Sequence, residues 1–89
     1  MIYVDPLLKW PTRIRCFKDG SSHLFADTVT ELHQFAGRLM LSREWFQDKP
    51  GFPHYDLTVR KRSEAVRLGA VELERNAAIA KWRELKTPV

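Results

Sequence analysis

Cysteine is nearly absent: among 89 residues, Cys16 stands alone. A lone cysteine closes no internal disulfide, excludes four-cysteine zinc sites and fits a reducing compartment. Long apolar runs are missing as well. No stretch approaches the roughly 18 residues that a membrane-spanning helix needs. The opening MIYVDPLLKW carries Asp5, with no basic flank and no long apolar centre, unlike a secretory signal. These absences lead to the expectation of a cytoplasmic protein without a membrane partner. Glycine is scarce, and neither G-x-x-x-x-G-K-[ST] nor G-x-G-x-x-G occurs, which removes the phosphate-loop and dinucleotide fingerprints. Ser21, Ser22 and Ser42 have no hydrolase elbow around them, and there is no internal repeat or low-complexity tract.

What is present describes one small domain, residues 1–89. A chain of this length buries only about 60% of its unfolded surface, so its stability is thin. Five Phe, three Trp and two Tyr supply large packing units, and a homo-oligomer would bury more of them. The net charge of +4 is unevenly placed. Residues 1–58 hold seven Lys/Arg and seven Asp/Glu, whereas residues 59–89 hold eight against four. The excess in the last third points to an anionic partner. No basic stripe is long enough to track a nucleic-acid backbone, so a small anion is favoured over nucleic acid.

Along the chain, MIYVD and HLFAD are short apolar runs that predict strands. KWPTRIRCFKDGSS between them predicts a loop or irregular hairpin. Thr28-x-x-Glu31 is a capping box, and Val29, Leu32, Phe35, Ala36 and Leu39 follow at helical spacing. REWFQ predicts a strand, and DKPGFPHYD, with Pro50, Gly51 and Pro53, predicts a loop. TVRKRSEAVRLG predicts a helix from the Thr58 cap to Gly69. AVEL predicts a short strand, and Asn76 is placed to cap a last helix ended by Pro88. The expected fold class is α/β: a small sheet of three to four short strands, at least partly parallel, with three helices. Crossover connections would then bring HLFADT and PHYDLT, at the carboxyl ends of their strands, to one edge of the sheet.

The two internal helices begin differently. Asp27 and Glu31 lie where the first helix dipole favours anions. The second helix follows Thr58 with Val59, Arg60, Lys61 and Arg62, and Lys61 stands where a capping box would place Glu. Such cations oppose the dipole by about 0.3–1 kcal/mol each at a surface. Free N–H groups, a positive dipole end and these cations together would hold a phosphate or carboxylate. Long side chains turned to water, or paired with Asp56, would explain the same residues without a ligand.

Two His–Asp pairs precede the helices: His23 with Asp27, and His54 with Asp56. Such pairs bind a divalent metal, line a metal-free polar pocket, or serve the helix caps separately. Trp45 and Tyr55 could stack on a nucleobase, at about 1–3 kcal/mol per stack, and Gln47 could read a base edge. Core packing explains aromatic residues equally well. His33 fits a surface helical position. Cys16, between Arg15 and Lys18, is in a basic setting that would lower its pKa, and a Cys–His pair with His23 or His54 is conceivable.

The motifs H-L-x-A-D-T (His23 to Thr28), E-L-H-x-F-A (Glu31 to Ala36), W-F-Q (Trp45 to Gln47), P-H-Y-D-L-T (Pro53 to Thr58) and K-R-x-x-A-x-x-x-G-A (Lys61 to Ala70) resemble the domain-of-unknown-function family numbered 4031. The resemblance covers roughly residues 1–5 and 23–73. It groups these motifs into one fold and implies a bacterial or phage origin, but implies no activity. The leading functional expectation is therefore a domain that binds a phosphorylated small molecule such as a nucleotide. Its site would comprise His23, Trp45, Gln47, His54, Tyr55, Asp56, Thr58, Arg60 and Lys61, with no cofactor. Alternatively, His23, Asp27, His54 and Asp56 hold a divalent metal in a phosphoesterase or nuclease. A plain interaction module, docking through its basic last third, is the remaining expectation. No motif decides whether the chain is an enzyme.

Overall fold

The structure is a computed structural model, and it describes residues 1–8, 20–49 and 52–86. Cys16, Pro50, Gly51 and Pro88, and with them most of the expected loop after Lys9, lie outside the described residues. The elements are β1 (Ile2–Val4), β2 (Ser22–Ala26), α1 (Val29–Arg38), a single 3-10 turn (Arg43–Trp45), β3 (Phe46–Lys49), β4 (Phe52–Leu57), α2 (Val59–Arg67), β5 (Val71–Glu72) and α3 (Arg75–Lys86). Five strands form one sheet in the order β3-β4-β2-β1-β5. Among the described residues, only β1 and β5 pair in parallel, and the other three strand pairings are antiparallel.

The α/β class, the three helices and the partly parallel sheet agree with expectation, but the strand count does not. The additional strand is FPHYDL, which lies mostly within the stretch expected as a loop from Pro50, Gly51 and Pro53. Pro53 is accommodated because β4 pairs with β2 only from Tyr55 onward, so the missing N–H of Pro53 interrupts no bond on that side. REWFQ also divides: Arg43–Trp45 is a 3-10 turn opened by Ser42, and the strand begins at Phe46.

Strand alternation sorts the side chains onto two faces. Val4, Leu24, Tyr55 and Leu57 point to one face, against Leu32, Phe35, Ala36 and Leu39 of the α1 segment and Ala65 of α2. Tyr3, Phe25 and Phe52 point to the other, against Ala78 and Trp82 of α3. α3 begins at Arg75 rather than behind an Asn76 cap, with the Ala78 N–H donating to the Glu74 carbonyl at 2.9 Å. Among the described residues, no helix is long and apolar enough to cross a membrane.

The helix ends follow their sequence signals. Thr28 Oγ1 accepts from the Glu31 N–H at 3.2 Å, and Thr58 Oγ1 accepts from the Lys61 N–H at 3.1 Å. Both helices close with the same pair of bonds, Met40 N–H to Gly37 O and Leu41 N–H to Ala36 O in α1, Gly69 N–H to Val66 O and Ala70 N–H to Ala65 O in α2. This closure needs a left-handed residue. Gly69 supplies it at φ +108°, whereas in α1 the position is taken by Met40 at φ +58°.

Candidate metal centre

Register brings the polar residues together. His23 on β2 stands directly opposite Asp56 on β4, and Gln47 on β3 stands opposite His54. Asp5, just beyond β1, is tied to the same row, its N–H donating to the His23 carbonyl at 3.3 Å. Because His54 and Asp56 are two apart on one strand, they share the face that carries His23. Asp5, His23 and Asp56 thus form a row across three strands, with His54 and Gln47 in the neighbouring row.

The hydrogen bonds orient both imidazoles. His23 Nδ1 lies 2.7 Å from Asp5 Oδ2, while the His23 backbone N–H donates to Asp5 Oδ1 at 2.6 Å. His54 Nδ1 lies 2.8 Å from the Phe52 carbonyl, which can only accept. Each Nδ1 is therefore turned to an acceptor, and each Nε2 is turned to Asp56. Asp56 Oδ1 lies 3.8 Å from His23 Nε2 and 3.5 Å from His54 Nε2. Its other oxygen accepts from Gln47 Nε2 at 2.9 Å. The two rings are 4.8 Å apart, centre to centre.

Aromatic residues brace the pair. Phe52 stacks on His54 at 4.4 Å, and Trp82 meets His23 edge-on at 5.9 Å. Asp5 and His54 are each only 3% exposed, so their positions are fixed by packing as well as by hydrogen bonds.

His23, His54 and Asp56 each offer one donor atom, and these lie within 4.8 Å of one another, the one such group among the described residues. In a tetrahedral zinc site, bonds of about 2.0–2.1 Å put neighbouring donors about 3.3–3.4 Å apart. The separations of 3.5 and 3.8 Å are too long for hydrogen bonds and close to that spacing. Two imidazoles and a carboxylate suit zinc, manganese or iron, and leave coordination positions open.

Residues 2–85 match the family described as Protein of unknown function (DUF4031). The chain belongs to that family. Among curated proteins and among solved structures, none matches it.

The remaining expected site residues are placed elsewhere. Asp27 does not join His23, because four residues along a strand span about 13 Å. β2 and β4 are antiparallel, so their carboxyl ends lie at opposite edges of the sheet, not at one. The start of β2 therefore meets the end of β4. Asp27 instead accepts from the Tyr3 hydroxyl at 2.9 Å and pairs with the Met1 ammonium at 3.2 Å and Lys81 at 3.7 Å. Burial opposes ionisation of Asp27, but the Tyr3 hydroxyl and these cations outweigh it and hold its pKa below the usual carboxylate value. Burial, aided by the bond to Asp27, pushes the Tyr3 phenol upward.

Tyr55 is 1% exposed on the opposite face, where its hydroxyl meets His33 Nδ1 at 2.8 Å. It is not available to stack on a ligand. His33 packs on Phe46 at 4.5 Å, and burial lowers its pKa. Trp45 is 56% exposed on the 3-10 turn, and Arg60 is exposed on α2. Lys61 reaches the carboxyl end of α1, donating to the Leu39 carbonyl at 2.7 Å. Arg62 donates to the Asp5 carbonyl at 2.9 Å and to Glu72 at 3.0 Å. Two of the three cations at the start of α2 are thus held by the fold itself: Lys61 answers the negative dipole end of a different helix.

Asp5 is the residue sequence reasoning missed. Its signal is present, since an acid ends an otherwise apolar strand with the same parity as Tyr3. Nothing local announces that this strand lies beside His23.

Proposed function

We propose that this chain binds one divalent cation through His23, His54 and Asp56 and uses it in the hydrolysis of a phosphoester. The carrying observation is the convergence of His23 Nε2 and His54 Nε2 on one oxygen of Asp56. With both Nδ1 atoms turned to acceptors, two nitrogen lone pairs and a carboxylate oxygen face one another. A divalent cation among the three would be held by all of them at once.

A divalent cation there would lower the pKa of bound water and polarise a bound ester oxygen. Gln47 holds the second oxygen of Asp56, and Phe52 and Trp82 limit the rings' movement. An anionic ester suits the net charge of +4, which favours its approach. A nucleotide is one such ester. Its phosphate would meet the cation rather than the start of α2, where Lys61 and Arg62 are engaged.

The test is metal analysis of the purified chain, followed by hydrolysis of nitrophenyl phosphomonoesters and phosphodiesters with added zinc or manganese. Turnover that disappears in His54→Ala supports the proposal. Stoichiometric cation binding without turnover removes the hydrolytic part, and no cation binding removes the whole.

A further inference from the structure

The two histidines differ in what holds their Nδ1 atoms. For His54 the partner is a main-chain carbonyl of its own strand, Phe52 O, which no substitution removes. For His23 it is the side chain of Asp5, from a different strand. We infer that Asp5 is a positioning residue that fixes the tautomer of His23, keeping the proton on Nδ1 so that Nε2 presents its lone pair to the site.

Asp5 is suited to this role. It is nearly fully buried, and both of its oxygens face donors of one residue, the His23 backbone N–H and the His23 ring. Its backbone is held independently, by its N–H on the His23 carbonyl and by Arg62 Nε on its own carbonyl. The carboxylate is therefore fixed from three elements, β1, β2 and α2. An ionised carboxylate only accepts, so the ring nitrogen facing it must be the protonated one. A carboxylate behind a ligating imidazole also strengthens the imidazole as a ligand.

Asp5→Asn replaces one acceptor by a donor with almost no change of shape. The backbone N–H of His23 cannot change role, so the single amide oxygen stays with it. The amide NH2 then faces Nδ1, which must become an acceptor. The proton moves to Nε2, and the atom aimed at the site becomes a donor that cannot bind a cation. The structural cost is small; the chemical consequence is complete at His23.

The consequence for cation binding rests on the function proposed above, but the tautomer does not, so the two can fail separately. The experiment is a long-range proton–nitrogen correlation of the imidazoles in the nitrogen-labelled, metal-free chain, at a pH where they are neutral, followed by calorimetric titration with zinc ion alone. The expected result is the Nδ1-protonated form for His23 in the wild type and the Nε2-protonated form in Asp5→Asn. The His54 ring should be unchanged in both, and zinc affinity should fall by about 10–100-fold. An Nε2-protonated His23 in the wild type overturns the inference, as does an Asp5→Asn chain with unchanged tautomer and zinc affinity. If Asp5→Asn does not fold, the wild-type spectrum alone decides. If the wild type shows the expected tautomer but binds no zinc, the role of Asp5 stands and the metal reading falls.

Discussion

His23 and Asp56 face each other directly across the β2–β4 ladder, at the start of one strand and the end of the other. This antiparallel meeting places two ligand candidates in contact and sends Asp27 to the far edge. Whatever chemistry the chain performs at these residues is set by that register, since a slip of one residue would move His23 to the opposite face.

Asp56 should carry the cation dependence of stability. A ligand at 100 times its Kd stabilises a fold by about 2.7 kcal/mol, which for a domain of this size is a melting shift on the order of 10–20 °C. Wild-type protein with zinc should show such a rise, and Asp56→Ala should show none. Thermal melts with and without chelator measure both.

Lys61 and Arg60 should behave differently although they are neighbours. Lys61→Met loses the bond to the Leu39 carbonyl and should destabilise by about 0.5–1.5 kcal/mol. Arg60→Met, on an exposed side chain, should stay within about 0.5 kcal/mol. Zinc affinity should be unchanged in either. Urea titrations and calorimetry check these outcomes; a loss of zinc binding in Lys61→Met would place that residue at the site.

Much of the fold was legible locally. The Thr28 and Thr58 caps, the apolar stripe of α1 and the glycine that ends α2 are short-range signals, and each element appears where they put it. FPHYDL was not legible as a strand, because Pro53 is tolerated only through the particular pairing of β4. Of the site, His23, His54, Asp56 and Gln47 could be named from their residue types. Their grouping could not, because it depends on strand order: a parallel reading joins Asp27 to Asp56, and the antiparallel sheet joins Asp5 instead. The cations after Thr58 misled for the same reason. Besides Glu64, one turn away from Lys61, their partners are Leu39, Asp5 and Glu72, which lie outside the helix.

Met40 occupies a left-handed position with its side chain 83% exposed. A left-handed backbone costs an L-residue about 1–2 kcal/mol, partly offset by the entropy that glycine loses on folding. Met40→Gly should therefore stabilise the fold by about 0.5–1 kcal/mol without altering the site. The midpoint of urea unfolding, at unchanged slope, measures the gain.

His33 gives the stability a pH dependence. Burial, with Arg43 nearby, holds its pKa below the ordinary 6.5. Between the folded pKa and the ordinary value, the unfolded chain binds a proton that the folded chain does not, so stability rises with pH there. The contribution is complete above about pH 6.5 and is lost as the pH falls through that window. Unfolding free energies at several pH values should show this slope, and His33→Gln should flatten it.

The most direct test of the central claim is equilibrium dialysis of the metal-free chain against zinc, with metal and protein both quantified. The account predicts one ion per chain for the wild type and none for the His23→Ala/His54→Ala double variant in its folded form. A wild type that retains no zinc, or a double variant that retains as much, would contradict it.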